Sequence, residues 1–406
     1  MYVSRWPELS PRWFIAPASS ARLPFPLDLS DGLSFYRAMN AIFHLFRTFV
    51  RPGDTVLVPD YHCGNEVLAI RAAGAAVRYY PIRRDLSPDL DTLEGLLRDG
   101  ARALLAIHFM GWPQPIPEMA RLSERYGAVL VEDCAVALLS TLDGRPLGTF
   151  GDFAVFRLHK SLPVPNVAVL VQNGAPGPLL EGLNLRRCDL VSVAGRCADA
   201  MIPWIQSRAG RLGVLLSRAK HGTGQILTAA GIERAGLHDG SFDLDKADLA
   251  MSGISRWLVP RFDYEAILRL RRENFQHLLD LLRGHVDLVF DRLEDGVCPL
   301  FFPILVPERA PAAAALRERG VPAGEWWATG DGVATGAAHE DAEFLRAHVL
   351  ELPIHQDLTA SHVEFIATEV LRLSQRTGAS SWTGVESFAA TATRVSSALS
   401  PDGSDR

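Results

Sequence analysis

The sequence predicts an α/β protein, with a mostly parallel sheet between helices and a smaller α/β unit at the C-terminal end. Three observations carry that expectation. Short runs of strand length alternate with amphipathic stretches of helical period along the N-terminal half. The strand runs are continuously apolar, as strands covered on both faces must be. A length of 406 residues exceeds what one hydrophobic core usually organises, so two domains or a large domain with an appendage are expected.

Residues 1–30 are rich in proline and serine and read as irregular structure wrapped over a core. In SDGLSFYRAMNAIFHLFRTFV, Phe35, Met39, Ile42, Phe43 and Phe46 recur at helical spacing, and Ser30 or Asp31 can cap the start. RPGD (51–54) is a turn before the buried strand TVLVP (55–59). A helix to about Ala73, strand VRYYP (77–81) and helix DLDTLEGLLRDG follow, then strand ALLAIHF (103–109) and helix PEMARLSERYG. AVLVED (128–133), FAVFR and VAVLVQ are further strands. Residues 175–255 are helix-like and less patterned. The amphipathic helix FDYEAILRLRRENFQHLLDLLRG (262–284) leads into the second unit. That unit holds strand CPLFFPILV (298–306), helix AAAALRERG and a helix from about Ala360 to Leu373. The expected division is a large domain with an N-terminal arm over 1–265, a small α/β domain over 266–373, and a disordered tail over the Ser/Thr/Ala/Gly-rich 374–406.

Composition excludes several function classes. Hydrophobic content of 48% with 22% charged residues is that of an ordinary globular protein, and a net charge of −6 gives no reason to expect nucleic acid or an anionic membrane as partner. The N-terminus has no apolar signal region, and no apolar run approaches membrane-spanning length. Cys63, Cys134, Cys188, Cys197 and Cys298 are an odd, scattered set without CxxC spacing. They read as reduced thiols of a cytoplasmic protein, with no metal site implied.

The candidate chemistry lies between Val131 and Gln172. Lys160, Lys220 and Lys246 are the only lysines, so 38 of 41 basic residues are arginine. A lysine retained in such a sequence suits a task arginine cannot perform, as an amine that loses its proton and attacks a carbonyl. Lys160 follows the apolar run FAVFRL, whereas Lys220 and Lys246 have polar surroundings. The alternative for Lys160 is a strand-end lysine reaching solvent. Ligands of parallel sheets gather at the carboxyl ends of strands, where Asp133, His108 and Asp60-Tyr61-His62 fall. Pyridoxal phosphate would need a lysine, a carboxylate for its ring nitrogen, an anion site and a surface against its ring. Asp133 suits the ring nitrogen, or else caps the turn that follows it. A helix starting at Gly32, Leu33 and Ser34 would offer backbone N–H groups to the phosphate.

These residues carry a resemblance. The chain resembles the DegT/StrS-type aminotransferases, fold-type-I pyridoxal-phosphate enzymes known for aminating nucleotide-linked keto sugars. The similarity runs from about 28 to 372, through Gly32-Leu33-Ser34, PGDTVLVP (52–59), IHFMGWPQPIPEM (107–119) and VEDCA (131–135). It continues through GTFGDFAVF (148–156), HKSLPVP (159–165), RRENF (271–275) and LPIHQDLT (352–359), while YHCGNE and KSLPVP resemble a divergent branch. The resemblance implies an aspartate aminotransferase-like fold and pyridoxal 5'-phosphate as cofactor. It also implies a homodimer, with an amino acid such as glutamate as amino donor and a keto group of a sugar or natural-product intermediate as acceptor. By position, Lys160 would form the Schiff base and move the substrate Cα proton, and Asp133 would pair with the ring nitrogen. Gly32, Leu33 and Ser34 would hold the phosphate, Tyr61 or His62 would lie against the ring, and His108 would shape the pocket wall or serve as a satisfied structural histidine.

Departures from the family pattern are specific. Val136 stands where Gln or His is usual, Arg157 replaces a phosphate-binding serine, and Val167-Ala168 replaces a glycine pair. Asp248 and Ala250 stand in place of an Asn-x-Arg pattern. Arginine can bind phosphate by bidentate contact, so Arg157 joins the candidate cofactor residues. Two other outcomes fit the sequence: a different pyridoxal-phosphate reaction such as elimination or dehydration, and a non-catalytic homologue. Trp257, Trp326 and Trp327 are candidates to pack on a substrate ring, with core or interface packing as the alternative.

Overall fold

Strand-length apolar runs supply the centre of the molecule, a seven-stranded sheet. The computed structural model describes residues 1–29, 33–173, 183–210, 213, 215, 216, 219, 220, 242–325, 327 and 336–376. The strands of the large sheet are β1 (Leu33–Phe35), β2 (Thr55–Pro59), β3 (Ala76–Tyr80), β4 (Ala103–Ile107) and β5 (Val129–Cys134). A small hairpin of β6 (Thr141–Leu142) and β7 (Arg145–Pro146) precedes the last two, β8 (Phe153–Arg157) and β9 (Ala168–Gln172). Their order is β1-β9-β8-β5-β4-β2-β3. From β3 to β8 every pairing is parallel, whereas β9 runs antiparallel to both β8 and β1. Every residue of β4 and β8 is buried, as the apolar runs require, with Arg157 the one charged residue among them.

Helices cover the faces. They are α1 (Ala38–Phe49), α2 (Asn65–Ala72), α3 (Leu90–Arg98) and α4 (Ile116–Tyr126). Going from β2 out to β3 and then back past β2 to β4 reverses the direction of travel. Right-handed crossovers therefore place α2 on the opposite face from α3 and α4. The contacts agree, α1 packing with α2 and α3 with α4. Later come α5 (Leu190–Ala209), α6 (Gly253–Leu258) and α7 (Tyr264–Leu282). Aspartates start three helices, Asp89 accepting from the Thr92 amide, Asp189 from Ser192 and Asp263 from Ala266. Beyond α7 lie β10 (Asp287–Leu288), β11 (Phe301–Leu305), α8 (Arg309–Glu318), α9 (Glu340–His348), β12 (Val349–Pro353) and α10 (Ala360–Arg376). β10, β11 and β12 form an antiparallel three-stranded sheet, which α7 connects to one continuous apolar core. No described helix is long and apolar enough to cross a membrane.

One expectation is corrected. The helical spacing read from Ser30 onward does not begin a helix at Leu33. Leu33, Ser34 and Phe35 pair with Leu170, Val169 and Ala168 as an edge strand, and Arg37 stays extended before α1 opens at Ala38. Phe35 is buried in either arrangement, so its apolar period fitted both. Ser30, Asp31 and Gly32 lie outside the described residues, as do 377–406 of the expected tail. α10 runs to Arg376, past the expected end at Leu373.

Glu132 organises the turn before β8. Its carboxylate accepts the amides of Gly148, Phe150 and Gly151 at 2.8, 2.7 and 2.7 Å, and His108 Nε2 lies 2.9 Å away. Gly148 holds φ +90°, and a Cβ there would stand 2.6 Å from the Phe156 ring. Gly148→Ala is therefore expected to cost about 1–3 kcal/mol, by backbone strain and by displacing that ring. Urea unfolding of the two proteins measures it, and equal stabilities would contradict the packing described.

Candidate active site

β8 ends at Arg157, and the chain leaves the sheet as a single 3-10 turn over Leu158–Lys160. The turn is held by Leu158 donating to the Val167 carbonyl, and by Ser161 and Leu162 donating back to Leu158. Lys160 is 4% exposed. Arg271, inside α7 and 1% exposed, reaches the same turn. Its guanidinium donates to the carbonyls of Ser161, Pro299 and Leu300 at 3.2–3.3 Å and to Gln356 Oε1 at 2.9 Å. Gln356 in turn donates to Ser161 O. The lysine turn is thus tied to the chain entering β11 and the chain leaving β12.

Four charged side chains meet here where water is scarce. Asp133, at the carboxyl end of β5, sits beside Glu66 of the first turn of α2, with Arg157 and Lys160 as counter-charges. Burial, then the nearby Glu66, pushes the Asp133 carboxyl up against the pull of the Ala135 amide and the two cations. Burial, then Arg157, pushes the Lys160 ammonium well below the ordinary lysine value. Cys63 donates its S–H to both Glu66 oxygens at 3.1 Å, and burial with Glu66 pushes its thiol up. An amine so desolvated is readily neutral, the state in which it attacks a carbonyl or takes a proton.

A cavity of about 790 Å³ opens over this cluster, lined by Lys160, Arg157, His159, Cys63 and Asn65. The N-terminal segment forms the opposite wall through Tyr2, Arg5, Trp6 and Pro7. That segment is docked by His355 Nε2 at 3.0 Å from the Ser4 carbonyl and by the Glu8 amide donating to Asp357 at 2.9 Å. A second cavity, of about 770 Å³, lies beyond it between Glu8, Arg208, Asn274 and Asp357 and has no lysine in its lining.

The sequence-predicted residues are distributed unevenly. Lys160 and Arg157 line the cavity, and Asp133 lies behind its wall within charge range of both. Phe35, Ala168 and Arg157 are lateral neighbours across β1, β9 and β8, so α1 starts at the same sheet edge as the lysine turn. Leu33 and Ser34 lie in β1 rather than at a helix start, and Gly32 is outside the described residues. Tyr61 and His62 do not line the cavity. Tyr61 packs in the core on Phe109 and Trp327. His62 stacks on Tyr79, and its Nδ1 accepts the Gly64 amide. Burial lowers His62 to about 3, so it stays neutral.

His108 is occupied by Glu132 and by the Gln114 amide. His108, Glu132 and Cys134 lie close enough to hold a metal. The four lone-pair sites of Glu132 are already taken by three amides and His108, so this set reads as a structural hub. Trp327 lines the cavity, Trp257 stacks on Phe14 at the surface, and Trp326 is outside the described residues. Sequence reasoning missed Glu66, Arg5 and Glu351. Only Glu351 carried a signal, as a lone carboxylate in the apolar run VLELPI.

Residues 37–164 match the DegT/DnrJ/EryC1/StrS aminotransferase family. A dTDP-4-dehydro-2,3,6-trideoxy-D-glucose 4-aminotransferase of Saccharopolyspora spinosa is 32% identical over 106 residues, 26% of this chain and 28% of that protein. The chain spans about a third of the length of the curated relatives it matches. Helicobacter pylori PseC, an aminotransferase involved in the biosynthesis of pseudoaminic acid, is similar in structure with a TM-score of 0.67 at 14% identity, over 92% of this chain and 99% of its own. Spr1654 from Streptococcus pneumoniae in its PLP form gives 0.66 at 16% identity, over 93% and 99%. At such identity the likeness carries the fold alone, and that fold is the fold-type-I α/β architecture.

Two measurements follow from these electrostatics. Formaldehyde with cyanoborohydride at pH 8 should methylate Lys160 several-fold faster than Lys220 and Lys246, each of which is paired with an aspartate. Peptide mass mapping reads all three, and equal rates would contradict a depressed Lys160. Burial also pushes Glu351 up to about 8. Its folded value lies above the unfolded one of about 4.3, so its contribution to stability is full below that pH and is lost as pH rises through 8. Glu351→Gln should flatten this part of the stability profile between pH 5 and 9, read from urea midpoints.

Proposed function

On the premise that this chain is a member of the DegT/DnrJ/EryC1/StrS aminotransferase family, we propose that it is a pyridoxal-phosphate aminotransferase. It takes the amino group of an amino acid, glutamate first among candidates, and gives it to a keto group of a sugar or natural-product intermediate. The observation that carries this reading is the buried Lys160 amine in a cavity at strand carboxyl ends, with Asp133 and Arg157 as its charged neighbours.

The residues present fit the cofactor. Lys160 would hold its aldehyde carbon, Asp133 its ring nitrogen, and Arg157 with the first turn of α1 its phosphate, a helix start that no side chain caps. Cys63 takes the wall position that sequence reasoning gave to Tyr61 or His62. When bound, the cofactor supplies an electron-withdrawing ring that stabilises charge left at the substrate Cα. Lys160, its Nζ neutral, would take the proton that leaves the substrate Cα, its C–H electron pair staying on the carbon, and would give the same proton back later, a role suited to an amine whose burial and Arg157 neighbour disfavour the ammonium. Asp133, pressed by burial and Glu66, keeps a proton on the ring nitrogen by offering a carboxylate where few other dipoles can compensate.

The proposal extends to organisation: residues 1–265 as the cofactor-binding domain, 266–373 as the small domain, and a cytoplasmic homodimer. A dimer is favoured by α5, where Ser192 is the one buried residue of twenty and Leu190 is 84% exposed.

Incubation with pyridoxal phosphate followed by borohydride should add the cofactor's mass to the Lys160 peptide, and Lys160→Ala should leave no labelled peptide. Glutamate added before borohydride should prevent the labelling and release 2-oxoglutarate. Labelling that glutamate does not affect would remove glutamate as donor, and absence of labelling would overturn the proposal.

A further inference from the structure

Arg5 differs from the other cations on the cavity wall. Arg157 belongs to the cluster with Asp133 and Glu66, and Arg196 donates to Asp199 at 3.1 Å. Arg5 instead points its guanidinium between the cavity and the interior, where Glu351 Oε2 lies 3.8 Å away, beyond hydrogen-bond length. Both Glu351 oxygens and Arg5 Nε are buried without a hydrogen-bond partner among the described residues. Glu351 itself is fixed, since its backbone exchanges two hydrogen bonds with Gly324. A Cβ on Gly324 would stand 2.4 Å from Arg5 Nη2 and 3.0 Å from Glu351 Oε2, so this glycine makes the room that the pair occupies. The Arg5 backbone is held on both sides by the His355 and Asp357 contacts, while its side chain stays 34% exposed toward the cavity.

We propose that Arg5 is the residue that receives the carboxylate of the amino-acid donor, exchanging its loose contact with Glu351 for a bidentate one. This rests on the aminotransferase reading above. A guanidinium with unused donors and a planar fork matches a carboxylate, and it shares a cavity with Lys160, where the donor's amine must arrive. Once ionised, above about pH 8, Glu351 acts as a built-in competitor that holds the cation in place between substrates.

The test uses the 406-residue chain without added cofactor, with glutarate as a carboxylate probe that lacks an amine, followed by calorimetry. Arg5→Gln should weaken glutarate binding about tenfold or more, the loss of charged hydrogen bonds. Arg5→Lys, which keeps the charge but not the fork, should fall between the two. Read at pH 9, where Glu351 is ionised, Glu351→Gln removes the competing charge and should tighten binding several-fold. A merely structural ion pair predicts the same sign for both partners, so weakening in Glu351→Gln overturns the proposal, as does unchanged affinity in Arg5→Gln or no binding by the parent protein. Inorganic phosphate run alongside tests the anion's identity: a larger loss for phosphate than for glutarate in Arg5→Gln overturns the carboxylate assignment. Borohydride capture at Lys160 is read separately in each variant, so its failure would count against the aminotransferase reading alone.

Discussion

The candidate site depends on one buried guanidinium. Among the described residues Arg271 has no carboxylate in its hydrogen-bonding set; its partners are three main-chain carbonyls and the Gln356 amide oxygen. Neutral acceptors relieve the cost of burying a cation only when several converge at good distance, and they do so only if the three segments that supply them are in place. The lysine turn, the entry to β11 and the exit from β12 are therefore conditions of one another. The Asn274 amide adds to the same join by donating to the Ile354 and His355 carbonyls. Segments far apart in the chain are thus brought to the ring of contacts around Lys160 by helix α7.

The same join explains how the N-terminal segment comes to close the cavity. His355 and Asp357 lie beside Gln356, and each fixes the backbone near Arg5. Position is passed from Arg271 through 355–357 to residues 4–8 with no intervening secondary structure. Charge follows a similar economy. Two carboxylates and two cations share a dry patch, and each shifts its neighbours, so a change at Glu66 or Arg157 alters the basicity of Lys160 without touching it.

Much of this was legible in the sequence wherever a residue's role follows from its own surroundings. Apolar runs gave β2, β4, β5, β8 and β9, because burial on both faces selects apolar side chains along most of each strand and confines the charged ones to the carboxyl ends of β5 and β8. Lys160 stood out through the rarity of lysine, and Asp133 through its place at a strand end. Local pattern was less reliable where two periods coincide, as at Phe35, whose burial served a strand as well as a helix. Tyr61 and His62 follow β2 as expected, yet both side chains turn into the core and leave Cys63 at the wall, a choice of direction that composition does not encode. Arg5 and Glu66 were illegible because their partners, Glu351 and Asp133, are far away in the chain. Where tertiary contact confers the role, a single sequence is silent.

Glu132 and Asp133 are adjacent carboxylates of nearly identical chemistry, and only the pleat of β5 separates their fates. One is saturated by four hydrogen-bonding partners and pinned to the turn before β8, while the other faces the lysine and arginine of the cavity. A strand exchanges its faces when it slips by a single residue. A misregistered β5 would present the cavity side with a carboxylate of the right charge on the wrong stem, and would leave three amides without their acceptor. The hub around Glu132 is therefore also a proofreading device: the chain cannot settle with its two acids interchanged, because only one of the two positions meets Gly148, Phe150 and Gly151.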